Sequence, residues 1–93
     1  MKVELELGPR FKKDFKNLDK KVQERVLKAL DDFSHDQNHP SFRLKPMKGQ
    51  KKKVKIWEAH ISLRYVFTFE WLDDEHTAAY LRRVGKHDIY GNP

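Results

Sequence analysis

The strongest pattern of apolar and polar positions lies between Val54 and Trp71, a stretch rich in β-branched and aromatic residues and free of glycine and proline. This composition favours β-strands, and a break near 60–62 predicts two strands joined by a tight turn. Side chains alternate between the two faces of a strand. One face of the second strand therefore carries a core set, Leu63, Tyr65, Phe67, Phe69 and Trp71. The other face carries Arg64, Val66, Thr68 and Glu70, which places Arg64 near the middle of a sheet surface.

The flanking segments predict two helices and further strands. Strict alternation indicates a half-buried strand, apolar residues at helical spacing indicate amphipathic helices, and Asp19 is a plausible N-cap. The predicted elements are a strand over Lys2–Leu7, helices over 9–17 and from 20 to about 33, a short strand over Phe42–Met47, the two strands described above, and a strand over His76–Val84 that Gly85 ends.

This order, β-α-α-β-β-β, predicts the α+β class in a single domain over residues 1–93. Hairpin connections give an antiparallel sheet, and two N-terminal helices should pack on one face of this small twisted sheet. The other face should stay open, with Arg64 projecting from it.

Charge adds a second feature, because the net charge of +6 comes from one segment. Residues 43–55 contain no acidic residue and seven basic ones, namely Arg43, Lys45, Lys48, Lys51, Lys52, Lys53 and Lys55. A concentrated basic segment is typical of a polyanion-binding site, so we predict that these side chains bind RNA. The absence of cysteine excludes disulfides and a thiolate nucleophile. There is no long apolar run or signal-peptide pattern, and a cytoplasmic location is expected.

The remaining candidate residues suit phosphate chemistry better than other reactions. Several of these candidates are expected at strand ends and edges, namely Glu58, Arg64, His87 and Tyr90. One of two adjacent arginines, Arg82 or Arg83, should join them, and Arg83 is preferred. Guanidinium groups stabilise charge on phosphate, and His, Glu and Tyr transfer protons. RNA carries its own nucleophile, the 2′-OH, so such a set would suffice to cleave it. His35 and His39 have a possible metal-ligand spacing, but a solvated loop is the favoured interpretation, and no metal or cofactor is expected.

Three segments, LKPMKGQ, WEAHISLRYVFTFE and LRRVGKHDIY, together resemble the RelE/ParE toxin superfamily of bacterial and archaeal toxin–antitoxin pairs, in the same order along the chain. Within this resemblance Arg64 matches the arginine that contacts the scissile phosphate. His87 matches the basic position after Gly-Lys, and Tyr90 lies near the terminal tyrosine. Glu58 falls on a catalytic lysine position only if the strands shift by one residue. Either Glu58 or His87 is then the general base.

The resemblance implies a toxin of a type II toxin–antitoxin pair, and it favours the RelE branch of ribosome-dependent messenger-RNA endonucleases. It also implies a small acidic antitoxin and the ribosome with its messenger RNA as partners. Two alternatives stay open: a gyrase-poisoning toxin of the ParE branch without nuclease activity, and a non-catalytic basic module that binds RNA or the ribosome.

Overall fold

The computed structural model describes residues 2–47 and 55–93, and its elements follow the predicted order closely. They are β1 (Glu4–Leu7), α1 (Pro9–Lys16), α2 (Lys20–His35), a first 3₁₀ turn (Pro40–Phe42), β2 (Lys45–Pro46), β3 (Trp57–His60), β4 (Tyr65–Trp71), β5 (Ala78–Lys86) and a second 3₁₀ segment (His87–Gly91). Pro9 opens α1, where its missing N–H costs nothing. No helix of the described chain is both long and apolar enough to span a membrane.

The five strands form one mixed sheet in the order β1-β5-β4-β3-β2. The strands β2 to β5 pair antiparallel, as predicted, but β1 pairs parallel with β5. The expectation of a wholly antiparallel sheet was wrong at this edge, because hairpin reasoning covers only strands that follow one another. Gly8 allows the close approach that this pairing needs. Its amide donates to the Leu81 carbonyl at 2.9 Å, and a Cβ there would lie 2.6 Å from the Tyr80 hydroxyl oxygen.

The main core lies between the two helices and one face of the sheet, which confirms the predicted α+β arrangement. Phe33 of α2 is fully buried at its centre. Its ring meets those of Phe42, Phe67 and Phe69 nearly edge-on at centroid distances of 5.6, 5.4 and 5.2 Å. Such contacts add to the free energy gained from burying the aromatic area.

The second face of the sheet is partly covered, although the sequence predicted it to be open. Ile56, Val66 and Ile89 are buried but lie outside the main core cluster. Ile89 belongs to the second 3₁₀ segment, which folds back against β5. Gly85 makes room for it, because a Cβ there would meet the Ile89 Cγ2 at 3.0 Å. The strand β5 continues to Lys86, so the prediction that Gly85 ends this strand was wrong.

The connection between β3 and β4 is longer than the predicted tight turn. It spans residues 61–64, and β4 begins only at Tyr65. The Ser62 hydroxyl accepts the backbone N–H groups of Arg64 and Tyr65 at 3.4 and 3.2 Å and so fixes this wider turn. Leu63, predicted in the core, is 88% exposed at its tip.

Candidate active site

A buried carboxylate, Glu58, is the centre of the candidate site. It lies on β3, and strand alternation directs it to the face opposite the helices. Its side chain is only 8% exposed, and its Oε1 lies 3.5 Å from the Lys45 Nζ and 3.7 Å from the His60 Nε2. The β2–β3 register sets Lys45 directly opposite Glu58. These cationic or protonatable partners offset the cost of removing a carboxylate from water.

The Tyr90 hydroxyl adds an unusual proton donor beside this carboxylate. It is buried, and no described residue completes a well-formed hydrogen bond to it. Burial first, and then the nearby negative charge of Glu58, raise the pKa of Tyr90 to about 12. The phenol is therefore protonated at neutral pH and can donate to an incoming oxygen atom.

Two histidines complete the cluster. The ring centroids of His60 and His87 are 5.7 Å apart, and His87 lies nearly perpendicular to Tyr90 at 5.3 Å. Burial is the largest cause that lowers the pKa of His60, and the charges of His87 and Arg43 act in the same direction against Glu58. At neutral pH His60 is therefore mostly unprotonated and able to accept a proton.

Sequence reasoning missed His60. The strand period contained the signal, because His60 follows Glu58 by two residues on β3 and so shares its face. Of the predicted residues, the structure brings Glu58, His87 and Tyr90 together, and Lys45 joins them.

Arg64 lies in the turn before β4, so the expectation that it projects from near the middle of the sheet surface was wrong. The physical reason is the four-residue turn fixed by Ser62. Arg64 is exposed, and its side chain forms no hydrogen bond or ion pair with another described residue. Its guanidinium is therefore available to bind a ligand from solution.

Arg82 and Arg83 both bind carboxylates. The Arg82 Nη1 contacts the Glu70 Oε2 at 2.8 Å. The Arg83 Nε and Nη2 contact the two Asp14 oxygens at 2.6 and 3.1 Å, and its Nη1 donates to the Asn92 carbonyl at 3.1 Å. Arg83, the preferred catalytic candidate of the pair, is thus held in a bidentate ion pair with α1.

The basic residues predicted to bind RNA fall into two groups. Arg43, Lys45 and Lys55 are exposed, with Lys55 over the Trp57 ring at 6.0 Å. Arg43 adopts a left-handed conformation (φ 46°) after the first 3₁₀ turn. Lys48, Lys51, Lys52 and Lys53 lie outside the described residues.

His35 and His39 serve separate local structures. The His35 Nδ1 lies 2.8 Å from the Asp31 carbonyl oxygen, one helical turn earlier, whereas the His39 Nδ1 accepts the Ser41 N–H at 3.2 Å. Over residues 2–47 and 55–93, no group of three or more His, Cys, Asp or Glu side chains is arranged to hold a metal ion.

Solved structures match this architecture over almost the whole chain. A chain of the toxin–antitoxin complex RelBE2 from Mycobacterium tuberculosis has a TM-score of 0.72 at 19% identity, covering 94% of this chain and 100% of its own. A chain of the E. coli DinJ–YafQ toxin–antitoxin complex has a TM-score of 0.70 at 16% identity, covering 96% and 97%. A mutant of the E. coli toxin RelE in the free state gives 0.67 at 19% identity, covering 98% and 93%.

This chain has the RelE fold. No protein-family model and no curated protein sequence matches it. Within the RelE fold, β3, the β3–β4 turn and the second 3₁₀ segment carry the candidate side chains. These comparisons show the fold alone, and any catalytic activity has to be argued from those side chains.

Proposed function

We propose that this protein is the toxin of a type II toxin–antitoxin pair and that it cleaves messenger RNA on the ribosome in the cytoplasm, without a metal ion. The observation that supports the proposal most strongly is the cluster of Glu58, His60, His87 and Tyr90 on the sheet face opposite the helices. This cluster combines a proton acceptor, proton donors and a charge that orients them.

In the proposed reaction the substrate supplies the nucleophile. His60 takes the proton of the 2′-OH, whose oxygen forms a bond to phosphorus while the bond from phosphorus to the 5′-oxygen breaks. His87 gives a proton to the departing 5′-oxygen. The products are a 2′,3′-cyclic phosphate and a free 5′-OH.

Glu58 orients His60 and stabilises the imidazolium that forms. The proposed general base is therefore His60, whereas the sequence left the choice between Glu58 and His87. The carboxylate is 3.7 Å from the His60 Nε2 and is screened from solvent, so it is better placed to hold the imidazole than to meet the substrate. The Tyr90 hydroxyl and the Arg64 guanidinium would stabilise negative charge on the phosphorane: the buried phenol next to Glu58 makes no well-formed hydrogen bond, and the exposed guanidinium has no partner among the described residues.

The experiment is single-turnover cleavage of messenger RNA on programmed ribosomes. We expect Arg64→Ala and His87→Ala each to slow the chemical step by about a hundredfold or more, with much smaller losses in binding. His60→Ala should do the same. Arg10→Ala, which removes an exposed arginine from α1, is the matched control and should cleave at the wild-type rate.

The outcomes separate the three function classes. If the wild type arrests growth but cuts no message on ribosomes, a gyrase-poisoning toxin becomes the better explanation. If it binds ribosomes without arresting growth, the protein is a non-catalytic binding module. Cleavage that survives Arg64→Ala and His60→Ala unchanged would also reject the site described above.

The proposed partner is a small acidic antitoxin with an amphipathic segment. Leu7 and Leu27 are 40% and 57% exposed and border an apolar groove between the two helices. The other apolar residues in this groove are Phe11, Phe15 and Leu30. Such a groove suits the apolar face of a helix, and acidic residues of the same partner would balance the basic segment 43–55.

A further inference from the structure

A second groove, of about 630 Å³, shares a wall with the candidate active site. It lies between α2 from Arg25 to the end of the helix, the first 3₁₀ turn and the β3–β4 turn. His60 lines this groove and also lies against Glu58. A ligand whose reacting atoms lie at His60 would therefore have its neighbouring part beside or within this groove.

His39 gives the groove a fixed aromatic surface. Its Nδ1 accepts the Ser41 backbone N–H at 3.2 Å and lies 2.8 Å from the Ser41 hydroxyl. A backbone N–H can only donate, so the Nδ1 of His39 acts as the acceptor in this contact, which fixes the orientation of the ring. The ring also packs nearly perpendicular to the buried Phe42 at 6.4 Å. An exposed imidazole held in one orientation is a platform on which a base can stack.

The polar groups of the groove suit one phosphate rather than a long polyanion. Arg25 and Lys28 line it from α2, but Lys28 is already paired with Asp32 at 3.3 Å. Asp36 lines the groove as well and would repel a series of phosphates. Arg25 is exposed and contributes the positive charge that a single phosphate needs.

We propose that this groove binds the nucleotide next to the cleaved bond of the messenger RNA, with its base on His39 and its phosphate near Arg25. This assignment rests on the proposed nuclease function. It would make His39 and Arg25 determinants of the sequence context in which the protein cuts, and neither would take part in proton transfer.

The first test measures binding without cleavage. A deoxyadenosine dinucleotide lacks the 2′-OH and is titrated into the ¹⁵N-labelled protein. We expect shifts of the amide signals of Phe42, Ile61 and Ser62, which line the groove. His39→Ala and Arg25→Ala should each weaken binding about fivefold or more, as expected for loss of base stacking or of a phosphate contact. Lys21→Ala, which removes an exposed cation one turn earlier on α2 and outside the groove, should bind like the wild type.

The second test separates the groove from the nuclease function. On programmed ribosomes, His39→Ala should raise the enzyme concentration needed for half-maximal cleavage and weaken the dependence on the nucleotide beside the cleaved bond. Its rate at saturation should equal that of the wild type. If the wild type cuts nothing but the dinucleotide still shifts these amides, the nuclease function fails and nucleotide binding stands.

Two outcomes would overturn the groove assignment. One is a wild type that cleaves normally while the dinucleotide leaves the groove amides unshifted. The other is a His39→Ala variant that binds ribosomes more weakly but keeps its full dependence on the neighbouring message nucleotide, because the groove would then contact ribosomal RNA instead.

Discussion

At the scale of single residues, Glu58 controls the proton affinity of its neighbours. Its negative charge raises the pKa of His60 against the larger effect of burial. In Glu58→Gln that charge is lost, so the imidazolium is less stable and the pKa of His60 should fall further. We expect the acidic limb of the pH–rate profile to move to lower pH while the maximal rate drops. An NMR titration of the His60 ring gives the same quantity without cleavage, and an unchanged or raised pKa would contradict the assignment.

Tyr90 gives a second prediction at this scale. Its pKa of about 12 lies above the ordinary value of 10.0, so the folded protein keeps the phenol proton where the unfolded chain loses it. The resulting stabilisation is complete below pH 10 and disappears as the pH rises towards 12. Tyr90→Phe should remove a phenol that titrates near pH 12 from the absorbance curve and should make stability less dependent on pH in that window. A wild-type protein whose phenols all titrate near pH 10 would show that Tyr90 is not buried beside a carboxylate.

At the scale of elements, α1 is fastened to β5 by Asp14. Beyond its bidentate contact with Arg83, the carboxylate accepts the Val84 N–H at 3.2 Å on the edge of β5 that extends past the end of β1. Asp14→Ala leaves the half-buried Arg83 without its anion, and we expect a loss of about 1–3 kcal/mol in the free energy of unfolding. Asp19→Ala is the control in urea denaturation, because Asp19 is exposed and makes no side-chain cap bond. Equal stability of the two variants would show that the Asp14 contact contributes nothing.

The elements also show where prediction from the sequence succeeds. The bounds of α1 and α2 follow from the apolar spacing and Pro9, because a helical stripe is a local property. The turn before β4 depends on the Ser62 hydroxyl, which accepts two backbone N–H groups. The spacing of apolar and polar residues does not reveal such a contact. The β1–β5 pair joins positions more than seventy residues apart, and the position of Tyr90 beside Glu58 depends on the second 3₁₀ segment folding back. Contacts of this range follow from the whole fold, so the sequence alone did not predict them.

At the scale of the whole molecule, the proposed function assigns separate roles to two surfaces. One sheet face carries catalysis, and the groove between the helices binds the partner. Leu27 tests this division, because it is exposed on α2 and borders the apolar groove with Leu7. We expect Leu27→Asp to leave message cleavage unchanged while the proposed acidic antitoxin no longer rescues growth on co-expression. Leu72→Asp is the control, because Leu72 is 50% exposed after β4 and belongs to neither proposed surface, and this variant should be rescued normally. Rescue of both variants would place the partner elsewhere.

The parallel pairing of β1 with β5 has a consequence for synthesis. The first strand cannot find its partner until Ala78 and the residues after it have left the ribosome, and His87 and Tyr90 emerge later still. Contacts between distant parts of a chain form late and slowly in folding. A growing chain therefore lacks the assembled candidate site, and under the proposed function it could not cleave the message on the ribosome that is making it. The interval before the sheet closes is also the time in which the proposed antitoxin could bind the nascent helices.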